Sequence, residues 1–250
     1  MKIIIVGCTH AGTAAAVNLA KEYPEAIITV YERNDNISFL SCGIALYVGD
    51  VIKNPKGLFY SSPEALSNLG IATRMRHDVQ DINLDTKTIT VRNLDSEEVF
   101  HDSFDKIVVT TGSWPIVPKI QGIELSNILL CKNWNHANEI IESTVSAKNV
   151  AVIGAGYIGV ELAEAFELKG KKVTLVDAEN RIMPKYLDKE FTDLAEKEFL
   201  DHGIRLALGQ KVLHFEGSNG KVNKVITDRS ETEADLVIVC IGFRPNTELL

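Results

Sequence analysis

The residue best suited to redox chemistry in this chain is Cys42. It stands in Ser38-Phe39-Leu40-Ser41-Cys42-Gly43-Ile44, with no second cysteine close to it in sequence. A thiolate can attack a peroxide and become a sulfenic acid, the first and reversible step of thiol oxidation. A dithiol enzyme would show two closely spaced cysteines here. Taken alone, an unpaired cysteine reads more readily as an inert packing residue, and only position and motif reverse that. Cys8, Cys131 and Cys240 sit in or beside apolar runs and are read that way. His10 is a candidate for proton transfer, because imidazole titrates near neutral pH and can protonate a departing peroxide oxygen. Its plainer reading is a loop histidine that caps a helix or faces solvent.

The elements that must position this chemistry are written twice. The first unit runs from a predicted strand Lys2–Val6 through Gly7-Cys8-Thr9-His10-Ala11-Gly12 into a predicted helix Thr13–Glu22. A strand Ala26–Tyr31 follows and ends at Glu32. The second unit runs from a strand Asn149–Ile153 through Gly154-Ala155-Gly156-Tyr157-Ile158-Gly159 into a helix Val160–Lys169. Its second strand, Lys172–Val176, ends at Asp177. In both, the acid follows the last glycine by about 20 residues, the spacing of a dinucleotide fingerprint. Glycine lets backbone approach a pyrophosphate without an intervening Cβ. The helix N-terminus offers unpaired N–H groups and positive potential, and the acid accepts hydrogen bonds from a ribose diol. One glycine loop would be weak evidence; two complete units are strong. Thr9, in place of the middle glycine, is the departure in the first.

Glu32 and Asp177 have a bland reading as strand-end polar residues, but their shared offset favours ribose. Asp177 would repel a 2′-phosphate, and Arg181, close by in sequence, would weaken that preference. Glu161 is expected in the first helical turn, where it complements the helix dipole. Tyr157 is either a core aromatic or a ligand contact, and Lys132 reads as a solvated surface charge.

The 250 residues carry a formal net charge of −8 and are 45% hydrophobic and 24% charged, ordinary for a globular protein with a buried core. No basic block appears, so nucleic acid is not an expected partner. The run Ile3-Ile4-Ile5-Val6 is too short for a signal-peptide core, and no later run is long enough for a membrane span. The four cysteines form neither a CxxC pair nor a Cys/His cluster, which excludes a structural zinc site and a disulfide framework. A cytoplasmic location is the default expectation. Between the units, Ser61-Ser62-Pro63-Glu64 reads as a helix start. Strands are predicted around Ile71–Arg74, Thr86–Val91, Lys106–Thr110 and Leu236–Ile241, and Asn133–Lys148 reads as a polar helix and loop.

On the stretches Val6–Thr13, Tyr31-Glu32-Arg33, Ser38–Tyr47, Thr110-Thr111-Gly112, Gly154–Glu161 and Gly242-Phe243-Arg244-Pro245-Asn246, the chain resembles the NADH oxidase and NADH peroxidase branch of the two-dinucleotide flavoprotein reductases. The most specific part is Ser-Phe-Leu-Ser-Cys-Gly, and Ile44-Ala45-Leu46-Tyr47 leans towards a water-forming oxidase. The resemblance implies an α/β fold of two Rossmann-like units. Residues 1–115 would form the first segment of an FAD domain and 116–243 an NAD domain. Residues 244–250 would begin a second FAD segment.

It also implies site assignments. Gly7, Ala11, Gly12, Glu32 and Arg33 would hold the adenosine diphosphate portion of FAD, with the turn Thr110, Thr111, Gly112 and Ser113, and Lys132, also touching it. Gly154, Gly156, Ile158 and Gly159 would hold the pyrophosphate loop of NADH, and Asp177 its ribose. Tyr157 would shield the flavin until nicotinamide displaces it, and Tyr186 and Gly242 would complete that site. Cys42 would be the peroxide-reducing thiolate and His10 its proton partner. NADH and O2, or H2O2, would be the substrates. Family members run on by roughly 200 residues, the length of further domains of ordinary size, so a truncated chain and, at full length, a homodimer are expected. Peroxidase, coenzyme A disulfide reductase and a non-catalytic nucleotide-binding fragment stay open as alternatives.

Overall fold

A computed structural model describes residues 1–250. In chain order the elements are β1 (Lys2–Val6), α1 (His10–Glu22), β2 (Ile27–Glu32), α2 (Ile44–Val48), α3 (Pro63–Ser67), β3 (Ile71–Met75), β4 (His77–Asn83), β5 (Thr88–Asn93), β6 (Val99–Ser103), β7 (Lys106–Val109), β8 (Ser113–Pro115) and β9 (Ile128–Leu130). There follow α4 (Trp134–Ser146), β10 (Asn149–Ile153), α5 (Tyr157–Leu168), β11 (Lys172–Val176), α6 (Lys189–Asp201), β12 (Arg205–Ala207), β13 (Val212–Ser218), β14 (Lys221–Thr227), β15 (Glu231–Glu233), β16 (Leu236–Val239) and β17 (Phe243–Pro245). The fold is α/β, and no helix is long and apolar enough to cross a membrane.

The chain divides into two compact units. One comprises residues 1–40, 55–114 and 245–250, the other residues 41–54 and 115–244. This grouping differs from the segments expected from sequence in one main respect: Ser41–Asn54, which carries Cys42, belongs with the second unit. The physical reason is local packing. Gly49 at the end of α2 lies in van der Waals contact with Ala165 of α5, and the Tyr47 ring stacks on Trp134 of α4 at 5.9 Å between centroids.

In the first unit a parallel sheet has the order β3-β2-β1-β7 and is accompanied by the antiparallel sheet β4-β5-β6. Strand β1 is buried on both sides, which is why it reads as an unbroken apolar run rather than an alternating one. Ile3 and Ile5 pack with Ala16 of α1 and with Ile28, Val30, Leu66 and Ile71. Ile4 and Val6 pack the other way, with Val79, Ile89, Val91 and Phe104. The second unit repeats the plan with a parallel sheet β12-β11-β10-β16-β9 and an antiparallel sheet β13-β14-β15. Ala151 and Ile153 pack with Phe215, Val222 and Val225 of the antiparallel sheet. Helix α5 buries Leu162, Ala163 and Phe166 completely.

Both principal helices start earlier than the sequence pattern indicates, at His10 and Tyr157 rather than Thr13 and Val160. Their N-caps are Thr9 and Gly156, the middle positions of the two loops. Gly12 and Gly159 therefore lie inside the first helical turn, where an added Cβ would overlap the carbonyl oxygen of Gly7 or Gly154. Glu161 consequently sits in the second turn of α5, and no acid occupies the first. The expected dipole role for Glu161 is thus corrected.

Phe166 is fully buried in α5. Phe166→Ala should cost about 3–5 kcal/mol of stability in the second unit, read as a lowered midpoint of chemical unfolding. A change below about 1 kcal/mol would show that this helix face is not the packing centre assigned to it.

Candidate functional site

The two glycine loops are built by the same set of contacts. In the first unit the Gly7 N–H donates to the Tyr31 carbonyl at 2.8 Å, and in the second the Gly154 N–H donates to the Val176 carbonyl at 2.8 Å. Gly7 and Gly154 have φ of 92° and 106°, left-handed values that favour glycine. The acid at the end of the second strand then ties the loop down. Glu32 is buried; its Oε2 accepts from the Cys8 N–H at 2.7 Å, and its Oε1 from the Asn34 N–H at 2.8 Å. Asp177 does the same: Oδ2 accepts from the Ala155 N–H at 2.5 Å and Oδ1 from the Glu179 N–H at 2.8 Å. Each acid thus bridges the residue after the first glycine and the residue two positions beyond itself.

Thr9 and Gly156 adopt φ of −85° and −78°. Neither requires the left-handed region, which explains how threonine can stand where the pattern has glycine. A Cβ at Gly156 would meet nothing within 4 Å. The protein's own packing therefore does not demand glycine there, and the space is left open in front of a helix end. Neither α1 nor α5 is capped by a side chain or has an acid in its first turn. Both helix ends keep free N–H groups of the kind that receive phosphate.

Of the other predicted residues of the first unit, Thr110 packs against the same loop. The Thr110 hydroxyl lies 2.9 Å from both the Val6 and the Gly7 carbonyls. The Thr111 hydroxyl donates to the Asn246 carbonyl at 2.6 Å, and the Asn246 N–H donates to Gly112 at 2.9 Å. His10 and Ala11 are exposed in the first turn of α1, and the His10 ring stacks on Tyr60 at 5.7 Å. Ser113 opens β8. Arg33 is exposed and pairs with Asp78 at 3.6 Å.

In the second unit a cavity of about 260 Å³ is lined by Cys42 and its neighbours Ser41, Ile44 and Ala45, by Tyr157, Ile158, Glu161 and Leu162 of α5, and by Cys131, Lys132 and Phe243. Cys42 is exposed. The Lys132 ammonium lies 4.9 Å from the centre of the Phe243 ring, and burial lowers its pKa. It is therefore not the solvated surface charge the sequence suggested. Burial, with the nearby Glu164 carboxylate, raises the Glu161 pKa.

Two further predicted residues, Tyr157 and Tyr186, come together. Met183 takes a left-handed φ of 44° and donates its N–H to the Ala155 carbonyl at 2.8 Å. That turn brings Tyr186 against Tyr157, with ring centroids 4.3 Å apart. Gly242 has φ 112°, and its carbonyl accepts from the Ile116 N–H at 2.9 Å.

The cysteines separate by environment. Burial pushes the Cys8 thiol up to about 11 and the Cys131 thiol up to about 12, with Glu161 adding to the latter. Cys240, beyond the end of β16, is also raised by burial. Cys8 packs in the first unit, 3.6 Å from the Thr13 hydroxyl. Cys131 is more than a packing residue, since it lines the same cavity as Cys42. The sequence reading missed this because β9, which delivers Cys131, is only 3 residues long. Its polar neighbour Lys132, following an apolar run, was the available signal.

Two parallel-sheet units, each with an acid-tied glycine loop at the mouth of a helix, define the class of paired dinucleotide-type βαβ proteins. The model of the pyridine nucleotide-disulphide oxidoreductase family matches residues 1–250, and the chain belongs to that family. An NADH oxidase of Enterococcus faecalis is 60% identical over all of this chain and 56% of its own length. The solved structure of a water-forming NADH oxidase from Lactobacillus brevis, bound to NADH, is 55% identical with a TM-score of 0.97. It covers 100% of this chain and 55% of its own. An engineered NADPH oxidase made from that enzyme and bound to NADPH is 53% identical with a TM-score of 0.97, covering 100% of this chain and 56% of its own. It is changed at positions 159, 177, 178, 179 and 184. The chain spans about half the length of the curated relatives it matches.

Thiol alkylation of the native chain at pH 8 should label Cys42 first, because burial raises the Cys8, Cys131 and Cys240 thiols and keeps them protonated there. Peptide mass mapping reads the result. Labelling of Cys131 at a comparable rate would contradict the assigned burial.

Proposed function

We propose that this chain acts in a flavoprotein NADH oxidase that reduces O2 to water, with Cys42 as the peroxide-reducing centre. One observation carries the reading: the exposed Cys42 opens onto the same cavity as Tyr157 and Ile158, which open α5 within the second glycine loop. A thiol and a nucleotide-type loop on one cavity are what a nucleotide-driven thiol cycle needs. The NADH oxidase relatives support the same reading.

The residues present fit both dinucleotides. In the first unit Gly7, Ala11, Gly12 and Glu32, with Thr110, Thr111, Gly112 and Ser113, would hold FAD, and Arg33 would lie at its adenosine end. Lys132 would contact the same cofactor. In the second unit the open space at Gly156 and the free N–H groups of α5 suit the NADH pyrophosphate. Gly154, Gly159 and Asp177 complete that loop, and Tyr157, Ile158, Tyr186 and Gly242 bound the nicotinamide side. A flavin held by these residues would supply two-electron chemistry between NADH and oxygen or sulfur.

The protein's own steps centre on Cys42. The thiolate attacks one oxygen of a peroxide, the O–O bond breaks, and Cys42 becomes a sulfenic acid. The departing oxygen takes a proton and leaves as water, and His10 would be its donor on this reading. An electron pair from a second NADH, with protons from solvent, returns the sulfenic acid to the thiol and releases a second water. Tyr157 and Tyr186 keep water from the nicotinamide side until NADH enters. A cytoplasmic location belongs to this reading, since all the cysteines are free thiols and a reducing compartment keeps them so. So does a homodimer for the full-length protein.

The test is product analysis on the full-length flavin-loaded protein. Wild type should take up O2 with NADH and release no H2O2; Cys42→Ser should release H2O2 in proportion to NADH consumed. His10→Gln should slow sulfenic acid formation by about 10²-fold or more. Absence of O2 uptake with NADH alone, but turnover with added H2O2, would replace the oxidase by a peroxidase. Unchanged products in Cys42→Ser would remove the sulfur from the mechanism.

A further inference from the structure

We infer that Tyr60 is a positioning residue for His10: its ring stacks on the imidazole and fixes the plane from which the proton is offered. This rests on the reading of His10 as the proton donor of the peroxide step. The two ring planes lie within 5° of parallel, with centroids 5.7 Å apart, inside the range of offset aromatic stacking. Both residues are exposed. An exposed imidazole at the start of a helix turns among its rotamers unless a neighbour restrains it. A stacked ring restrains its plane and spares its two nitrogens, which lie on the ring edge. Proton delivery depends on that restraint, because the donor must meet the departing oxygen at hydrogen-bond distance.

Tyr60 can act this way because the backbone on either side of it is tied down. Phe59 forms an antiparallel bridge with Phe39, and their rings lie 5.4 Å apart. The Ser61 N–H donates to Ser38 Oγ at 2.9 Å, and the Ser38 hydroxyl donates to the Ser61 carbonyl at 2.8 Å. The Leu40 N–H donates to the Leu58 carbonyl at 2.8 Å. Ser38 is fully buried, takes a left-handed φ of 57°, and donates its own N–H to the Cys8 carbonyl at 2.9 Å. A continuous frame therefore runs from the glycine loop that leads into His10, through Ser38 and Phe39, to the residues flanking Tyr60. All of it lies within the first unit.

The ring, more than the hydroxyl, does the positioning. The Tyr60 hydroxyl reaches the Thr9 carbonyl only at 3.4 Å, longer than the usual O–H···O bond. Ser38-Phe39-Leu40, which the sequence singles out for its closeness to Cys42, thus has a role of its own: it carries the segment that holds the imidazole.

The test is the rate of sulfenic acid formation on adding H2O2 to the full-length, flavin-loaded protein with Cys42 in its thiol form. Tyr60→Leu and Tyr60→Ala should each slow it by about three- to tenfold, the effect of losing one exposed aromatic pair. Tyr60→Phe keeps the ring and should stay within about twofold of wild type, since it gives up only a long hydroxyl contact. In a His10→Gln background, Tyr60→Leu should slow the step no further, because a residue that acts through His10 has nothing left to position. Equal slowing by Tyr60→Leu in both backgrounds would make Tyr60 a structural residue and overturn the inference. Full activity in Tyr60→Leu and Tyr60→Ala would also overturn it, as would a Tyr60→Phe variant as slow as Tyr60→Leu. If His10→Gln alone leaves the rate unchanged, the proton-donor reading fails first and takes the inference with it.

Discussion

In each unit a single carboxylate holds the glycine loop in shape. Glu32 accepts hydrogen bonds from the N–H groups of Cys8 and Asn34, and Asp177 from those of Ala155 and Glu179. Charge-assisted bonds of this kind contribute about 1.5–3 kcal/mol each. They connect the loop after the first strand to the end of the second, which are distant in sequence. Once that connection is made, the loop cannot move independently of the sheet. The following helix must then begin at the middle of the loop, with its free N–H groups aimed where the loop leaves space. The same carboxylate that would meet a ribose is therefore also a structural tie, so ligand geometry and loop geometry are set by one group.

This dual role explains which glycines are required and which are not. Gly7 and Gly154 need the left-handed backbone, and Gly12 and Gly159 sit against the carbonyls of Gly7 and Gly154. These are demands of the fold alone. The middle position has no such demand: its φ is ordinary in both units. Thr9 departs from the pattern at the one place where the departure leaves the loop intact. A difference there acts on what approaches the loop from outside, not on the loop itself.

The parallel sheets were legible in sequence because both faces of their central strands are buried, leaving unbroken apolar runs such as Ile3–Val6 bounded by glycine. β1, β10 and β11 have the ends the pattern indicates. The antiparallel sheets were largely not legible. In β4, His77–Asn83, only Val79 is buried, so the segment shows no clean alternation and carries no strand signal. β13 opens on partly buried Val212, exposed Leu213 and partly buried His214, and it carries register shifts in its pairing with β14, which breaks the period that sequence patterns depend on. Helix starts were placed late because glycine was treated as a breaker, whereas Gly12 and Gly159 are accommodated within the first turn. At the candidate site, the residues carried by the loops were legible from spacing. Cys131, Glu161 and Phe243 were not, because their common cavity is assembled from β9, α5 and the segment after β16, which no local pattern connects.

None of the four thiols is paired, and the two that line that cavity, Cys42 and Cys131, differ in burial. A thiol reacts as its thiolate, and burial in apolar surroundings opposes forming that charge. Cys8, Cys131 and Cys240 are all held protonated by burial. Cys131 has the further opposition of Glu161, so it faces the cavity as an uncharged group. Cys42 is the exposed one, carried on the segment Ser41–Asn54 that α2 anchors against α5. Exposure costs Cys42 nothing in packing, since α2 buries its own Ile44 and Val48 instead. Reactivity can thus be concentrated on one sulfur while a second lies on the same cavity wall, and the selection is made by solvation rather than by distance. Spacing in sequence singles out Cys42 but does not register Cys131, which lies on the same cavity wall and is held protonated by burial.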